Sequence, residues 1–386
     1  MAERVFLHIG APKTGTTFLQ TVMWHNKPVM QAQGYLYPGN RRMDHFRATR
    51  VVRGISKQRL GDASGIWDDL LGELRQWSGT GVITHEFFSR ANAKRAEKAI
   101  GDLAPAEVHL VFTARDYVRQ FPAVWQEALK MSSQLSFDEF VTKALEFDTS
   151  GPWGWQSQDI PAILNRWGQS LPPERVHVIT VPPPGAPRDL LWERWCAVLG
   201  LDASKFDLDV GIGNESVGAA QAALLHRIKP HLSGALNEGG ERHRWFRQYL
   251  GHEVLVPQRG ERFGLRPQHW AELRQLSASA AKAIEEAGYD VTGDLTELVP
   301  DAEPTIRPNP DDIPDAEIVD VAARAIEQMV RDVRELTLER DEAKRRAAVA
   351  TQRARARGSR IQPRSRGRRL ARRMRSRVRR MRASNP

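Results

Sequence analysis

Short apolar runs alternate with stretches of helical periodicity along most of this chain. Residues 5–9 (Val-Phe-Leu-His-Ile), 82–84, 107–114 and 173–181 are nearly continuous in apolar character, the pattern of strands covered on both faces. Between them the period changes to that of a helix. Residues 18–24 place Phe18, Leu19, Val22 and Met23 at helical spacing. Residues 62–77 put Ile66, Leu70, Leu71 and Leu74 on one face and Asp68, Asp69, Glu73 and Arg75 outside. Further helices are expected over 91–103, 117–130, 132–145, 160–169, 189–200, 219–228 and 266–287. Ser136 with Glu139 reads as a capping box, and Gly200 as a C-cap. Strands alternating with helices of this length predict a parallel sheet.

Other segments carry no clear period. The first part of 28–62, rich in Gly, Pro, Arg and His, reads as loop, with His45 and Arg47 either part of a pocket wall or exposed polar residues. Residues 149–156 form an irregular loop with Trp153 and Trp155, which either line a pocket or form a satellite core. Residues 211–218 form a second glycine-rich loop, with Asn214 or Ser216 as the cap of the next helix. Residues 241–247 mix cationic and aromatic side chains, as a mobile flap or a solvated basic helix face.

The C-terminal quarter changes character. Residues 300–315 are rich in proline and read as a linker after a domain of 1–299. In 316–350, Val319, Ile326 and Val333 are spaced by seven, as are Ala322, Met329 and Leu336, and the two sets are offset by three. Those are the a and d positions of a heptad. Either a short homodimeric coiled coil or a helix folded back on the body follows. Residues 351–386 hold fifteen arginines and no lysine or carboxylate, so the net charge of +10 becomes −5 for 1–350 (+10 − 15). The body is mildly acidic, and the basic tail is expected to be disordered, with nucleic acid or an anionic membrane surface as its partner.

Apolar residues make up 41% of the chain, enough for a sizeable core. The lone cysteine, Cys196, excludes a disulfide framework and reads as a small core residue. Without a long apolar run or a leader-like N-terminus, the expected location is the cytoplasm, or the inner membrane face as a peripheral protein.

The chemistry concentrates at Gly10-Ala-Pro-Lys-Thr-Gly-Thr-Thr17, between the first strand and the first helix. Strand, glycine loop and helix are the context in which backbone N–H groups and the helix dipole hold phosphate. A nucleotide-kinase loop would place lysine where Thr16 stands; here the lysine is Lys13. This Pro-Lys-Thr-Gly-Thr-Thr loop resembles the 5′-phosphosulfate loop of sulfotransferases that use 3′-phosphoadenylyl sulfate. The resemblance covers about residues 4–300 and implies a P-loop-like parallel α/β fold flanked by helices. It implies that Lys13, Thr14, Gly15, Thr16 and Thr17 hold the phosphosulfate, with Lys13 reaching the bridging oxygen, and that Phe18 stacks on adenine. No metal is needed for that chemistry.

Arg115-Asp116, between the strand 107–114 and the helix 117–130, resembles the family's 3′-phosphate motif and makes Arg115 the expected ligand. Many members carry a serine eight residues later, where this chain has Ala123. Arg119 or Gln126 can substitute for that hydroxyl. His85 and Glu86 follow the strand 82–84, at the sheet edge where ligands of open α/β sheets bind. Glu86 is the expected catalytic base and His85 the alternative; a helix-capping or Arg90-paired Glu86 is the plainer reading. The segment 289–295 looks like the close of the catalytic domain in bacterial relatives. The implied activity is sulfuryl transfer to a hydroxyl or amine on a carbohydrate, glycolipid or small metabolite. A P-loop kinase and a non-catalytic nucleotide-fold scaffold are the rivals.

Overall fold

The computed structural model describes residues 1–148, 150–151, 153–211, 216–300 and 306–359. Six strands form one parallel sheet: β1 (Arg4–His8), β2 (Tyr35–Leu36), β3 (Thr80–Thr84), β4 (Glu107–Ala114), β5 (Val176–Thr180) and β6 (Asp290–Thr292), in the order β2-β3-β1-β4-β5-β6. Val5, Leu7, Val82, Ile83, Leu110, Val111, Phe112, Val178 and Ile179 have no exposed surface, because helices cover both faces. This is the parallel sheet that the alternation predicts, flanked by helices in the P-loop-like arrangement that the resemblance implies.

The topology fixes where a ligand goes. From β1 the chain builds β2 and β3 on one side, then crosses to β4, β5 and β6 on the other. The crevice at such a reversal lies outside the carboxyl ends of the central strands, here β1 and β4. On one face the helix Thr16–His25 packs Leu19, Val22 and Met23 against Phe6, Val82, Val111 and the helix Leu190–Leu199, which contributes Trp192, Trp195 and Cys196. Cys196 is the core residue expected, its thiol pushed up to about 12 by burial.

Several segments differ from expectation. Residues 28–62 are not loop at their start. They form the helices Lys27–Ala32, Asp44–Val52 and Lys57–Leu60, and β2 lies among them. His45 is buried there; its Nδ1 accepts from Thr84 N–H (3.2 Å) and its Nε2 donates to the Pro38 carbonyl (2.9 Å). Pieces this short, held by long-range bonds, leave no periodic trace. The helix Ala219–Ile228 is capped by Gly218 rather than by Ser216, and its first N–H donates to the Glu261 carbonyl; Asn214 lies outside the described residues. The ends 289–295 supply a sixth strand, β6. The capping box Ser136/Glu139 and the left-handed Gly200 C-cap are as expected.

The chain divides into two compact units, Met1–Ala323 and Arg324–Pro386. The first extends beyond residue 299 because part of the proline-rich segment is pinned to it. Gly264 N–H donates to the Pro308 carbonyl, Asn309 Nδ2 to Asp138, and Arg266 pairs with Asp312 (2.9 Å). Asp311 accepts from Phe137 N–H (3.1 Å) and Asp138 N–H (2.8 Å), the otherwise unpaired donors of the helix Phe137–Leu145. A helix Asp315–Ser359 then runs into the second unit. The basic tail beyond residue 359, and residues 301–305, lie outside the described residues. No helix among the described residues is long and apolar enough to cross a membrane.

A pinned strap and a free linker predict different results. Asp311→Ala should lower stability to chemical denaturation by about 1 kcal/mol, the usual cost of losing a helix cap. It should also expose residues 306–314 to limited proteolysis. An unchanged midpoint and cleavage rate would mean that the segment is a linker after all.

Candidate active site

β1 delivers the chain into the loop at Gly10, where a side chain has no room. A Cβ there would lie 2.5 Å from Thr113 Oγ1 and 2.6 Å from His8 Nε2. Gly15 has φ +85°, and a Cβ on it would meet Leu191 Cδ2 at 2.4 Å. Between them Lys13 is left-handed at φ 67°, a conformation that costs free energy in any residue but glycine. Three carbonyls of the turn are tied down. Thr14 Oγ1 donates to Ala11 (2.7 Å), Gln120 Nε2 to Pro12 (3.2 Å) and Arg115 Nη1 to Lys13 (3.0 Å). The N–H groups of Gly15, Thr16 and Thr17, at the start of the helix Thr16–His25, have no acceptor among the described residues. An anion is the natural partner of such a set.

Beneath the loop runs a buried polar chain that the sequence did not disclose. His8 Nδ1 lies 2.6 Å from Thr84 Oγ1, and His8 Nε2 lies 3.3 Å from Thr113 Oγ1. Thr113 Oγ1 in turn lies 2.6 Å from Thr14 Oγ1. With a neutral His8, every hydroxyl donates once: Thr84 to His8, His8 to Thr113, Thr113 to Thr14, and Thr14 to the Ala11 carbonyl. Burial drives the His8 imidazole down to about 3 and that of His45 to about 4. The lone histidine of β1 is thus a strut linking β3 and β4 to the loop.

Arg115 belongs to two places at once. Its Nη1 holds the loop, while its Nε is buried without a partner. The residue also lines a cavity of about 540 Å³, well within the range of ligand pockets. Arg119, Arg262, Arg307, Phe263 and Trp270 contribute to the same walls. The carboxylates there are already neutralised: Asp116 by Arg119, and Glu297 by Arg194 (2.6 Å). Arg115, Arg262 and Arg307 have no carboxylate partner among the described residues, so the cavity is cationic. Arg119 is spoken for: Nε goes to Asp116, Nη1 to the Pro182 carbonyl (2.9 Å) and Nη2 to that of Val181 (3.3 Å). Gln126 and Ala123 line the cavity, but Gln126 Nε2 donates to the Val217 carbonyl.

Lys13 meets Glu127 across 3.5 Å, longer than a hydrogen bond but within ion-pair range. Glu127 Oε1 also accepts from Arg247 Nε at 2.6 Å. Although burial raises it, the Lys13 and Arg247 charges outweigh burial and hold the Glu127 carboxyl down at about 2. Arg247 lies on a π-helical segment, Arg242–Leu255, with Phe246 buried and Trp245 exposed. The cationic stretch 241–247 is therefore partly an inward-facing element, and Glu127 is a site residue that the sequence reading missed.

Glu86 stands beside the loop helix: Gln20 Nε2 donates to its Oε2 at 3.0 Å, and Thr16 is a further donor. Its side chain is 17% exposed. Burial pushes the carboxyl up, but the His85 charge and the hydrogen bonds overcome this and leave it below the usual carboxylate range. His85 Nδ1 accepts from Phe87 N–H (3.2 Å) and lies 3.4 Å from Glu86 Oε2, and burial lowers its pKa. The plainer reading of a Glu86–Arg90 pair finds no such pair among the described residues. Aromatic rings flank this pair: Phe46 at 5.3 Å from the His85 ring, Phe87 at 5.4 Å and Trp153 at 5.7 Å from Phe87. Trp155, by contrast, is buried in core with Tyr117 and Phe121. Phe18 packs on the core cluster around Leu191 and Trp192.

Fold and site together define a parallel α/β protein with a glycine loop of acceptorless backbone donors at its switch point. No family model matches the chain, and no curated protein matches it. Among solved structures, the crystal structure of a sulfotransferase from Alicyclobacillus acidocaldarius is similar, at 16% identity and a TM-score of 0.43, over 77% of this chain and 99% of that one.

The neutral buried histidines predict acid sensitivity. Unfolded, both imidazoles take up protons below about 6.5; folded, His8 resists to about 3 and His45 to about 4. The unfolded chain thus binds more protons, and stability falls as pH drops from about 6.5 towards 4. Each imidazole should contribute roughly 1 kcal/mol per pH unit over that window. Urea melts from pH 7 to 5 measure it, and His8→Gln should flatten the slope; an equal slope in the variant would contradict a neutral strut.

Proposed function

We propose that the protein is a sulfotransferase that moves a sulfuryl group from 3′-phosphoadenylyl sulfate to an acceptor hydroxyl or amine. The observation that carries this reading is Arg115, one residue that bonds the glycine loop and lines the neighbouring cationic cavity. A ligand with a 5′-phosphate chain at the loop and a second phosphate in the arginine-lined cavity suits that pairing. The orphaned Arg115 Nε and the acceptorless N–H groups of Gly15 to Thr17 fit it too. Thr16 at the kinase-lysine position speaks against nucleoside triphosphate chemistry.

The co-substrate supplies an activated sulfuryl group. The residues do the rest. Gly15, Thr16 and Thr17 donate to the phosphosulfate, and the Lys13 ammonium neutralises charge on the departing phosphate. Arg115, with Arg262 and Arg307 in the same cavity, holds the distal phosphate. Glu86, ionised at neutral pH and oriented by Gln20, takes the acceptor proton as the new bond to sulfur forms and the bond to the bridging oxygen breaks. His85, whose ring lies beside Glu86, is the second candidate for the proton. The rings of Phe46, Phe87 and Trp153 offer an apolar wall to an acceptor such as a sugar face or a phenol.

Transfer of labelled sulfate from 3′-phosphoadenylyl sulfate to a panel of sugars, glycolipids and phenols tests the reading. Lys13→Ala should cost on the order of 10²–10³ in rate, as for loss of one oxyanion donor. Glu86→Gln should cost about 10²–10⁴. His85→Gln should cost far less, and the acid limb of kcat/KM should lie below the ordinary carboxylate range. Near-full activity of Lys13→Ala would overturn the mechanism.

A further inference from the structure

The helix Asp315–Ser359 carries a stripe that nothing in the described structure explains. Ile318 and Val321 are buried within the first unit. The heptad residues are not: Val319, Ile326, Met329, Val333 and Leu336 are all exposed, Ile326 and Val333 at 61%. β-branched residues are poor helix formers in water, and a helix gains most of its stability by packing an apolar face. Three of them in one solvated row is a pattern that only a covering partner makes favourable.

We infer that the partner is a second copy of this chain, in a parallel two-stranded coiled coil over residues 319–336. Three observations select that occupant. The spacing is 3.5 residues, so the stripe stays in one seam if two helices supercoil. The a positions are all β-branched (Val319, Ile326, Val333), and the d positions (Ala322, Met329, Leu336) are not. That division favours two parallel strands. In a parallel pair the g residue of one helix faces the e residue of the next heptad on the other; inside the seam these are Ala325 with Val330 and Asp332 with Thr337, which set no like charges against each other, and just beyond it Glu339 would face Lys344, opposite charges. Arg340 occupies the next a position and ends the apolar seam. Outside the seam, Glu327 pairs with Arg331 and Glu342 with Arg346 along the same helix. A parallel pair also starts both fifteen-arginine sequences from one end of the seam, doubling the charge offered to a polyanion. The inference is independent of the enzymatic reading.

Sedimentation velocity of the full chain over a concentration series tests it, in enough salt to screen the arginines. The expected result is a species of twice 43.6 kDa that returns to 43.6 kDa in Ile326→Asp/Val333→Asp. Both positions are exposed, so the thermal unfolding of the first unit should not move. Orientation is read separately. Met329→Cys should oxidise to a disulfide-linked dimer, because identical d positions meet only in a parallel, in-register pair; the buried Cys196 should not react. A monomer up to the solubility limit, or an oligomer unchanged by the double substitution, would overturn the proposal. A dimer whose Met329→Cys form fails to cross-link would overturn the parallel arrangement.

Discussion

Three carbonyl groups tied down by hydrogen bonds set the shape of the glycine loop on which the rest of the site depends. Ala11, Pro12 and Lys13 are pinned by Thr14, Gln120 and Arg115, and the turn they form leaves Gly15 to Thr17 with N–H groups but no acceptors. Backbone donors without partners are costly unless something anionic satisfies them. Two of the three pinning residues, Arg115 and Gln120, come from just after β4 and from the helix that follows it, so the loop is fully pinned only once β1 and β4 are neighbours. Gly10 shows how tight that junction is: its missing side chain is the space that His8 and Thr113 occupy. Sheet order, loop shape and the set of acceptorless donors are therefore one constraint.

Charge is distributed to serve the same end. The body carries a net negative charge, yet the cavity beside the loop presents Arg115, Arg262 and Arg307 with the nearby carboxylates already engaged. Glu127 sits between Lys13 and Arg247 and couples the loop's lysine to the segment Arg242–Leu255. Removing Glu127 would leave two cations facing each other across a largely buried space.

How much of this was legible in the sequence follows from range. The strand, glycine loop and helix could be read because they are contiguous, and Arg115 because it ends an obvious strand. The parallel fold followed from alternation. β2 and β6 escaped notice because two or three residues carry no period. Glu127 is 114 positions from Lys13, and Arg262 and Arg307 lie farther still from Arg115, so no local pattern brings them together. His8 looked like one more strand residue; only the fold sets it between two threonines from other strands. The proline-rich segment misled by composition, since Asp311 and Asn309 turn part of it into a strap.

The central claim is that one ligand spans the loop and the arginine cavity, with Arg115 touching both ends. Calorimetric titration of 3′-phosphoadenosine 5′-phosphate into the full chain, beside adenosine 5′-phosphate and ATP with Mg²⁺, tests it most directly. Charge-assisted hydrogen bonds are worth about 1.5–3 kcal/mol, so the bisphosphate should bind at least tenfold more tightly than the monophosphate. Arg115→Ala should erase most of that preference. Equal affinity for the two adenosine phosphates, or a preference for ATP with Mg²⁺, would contradict the account.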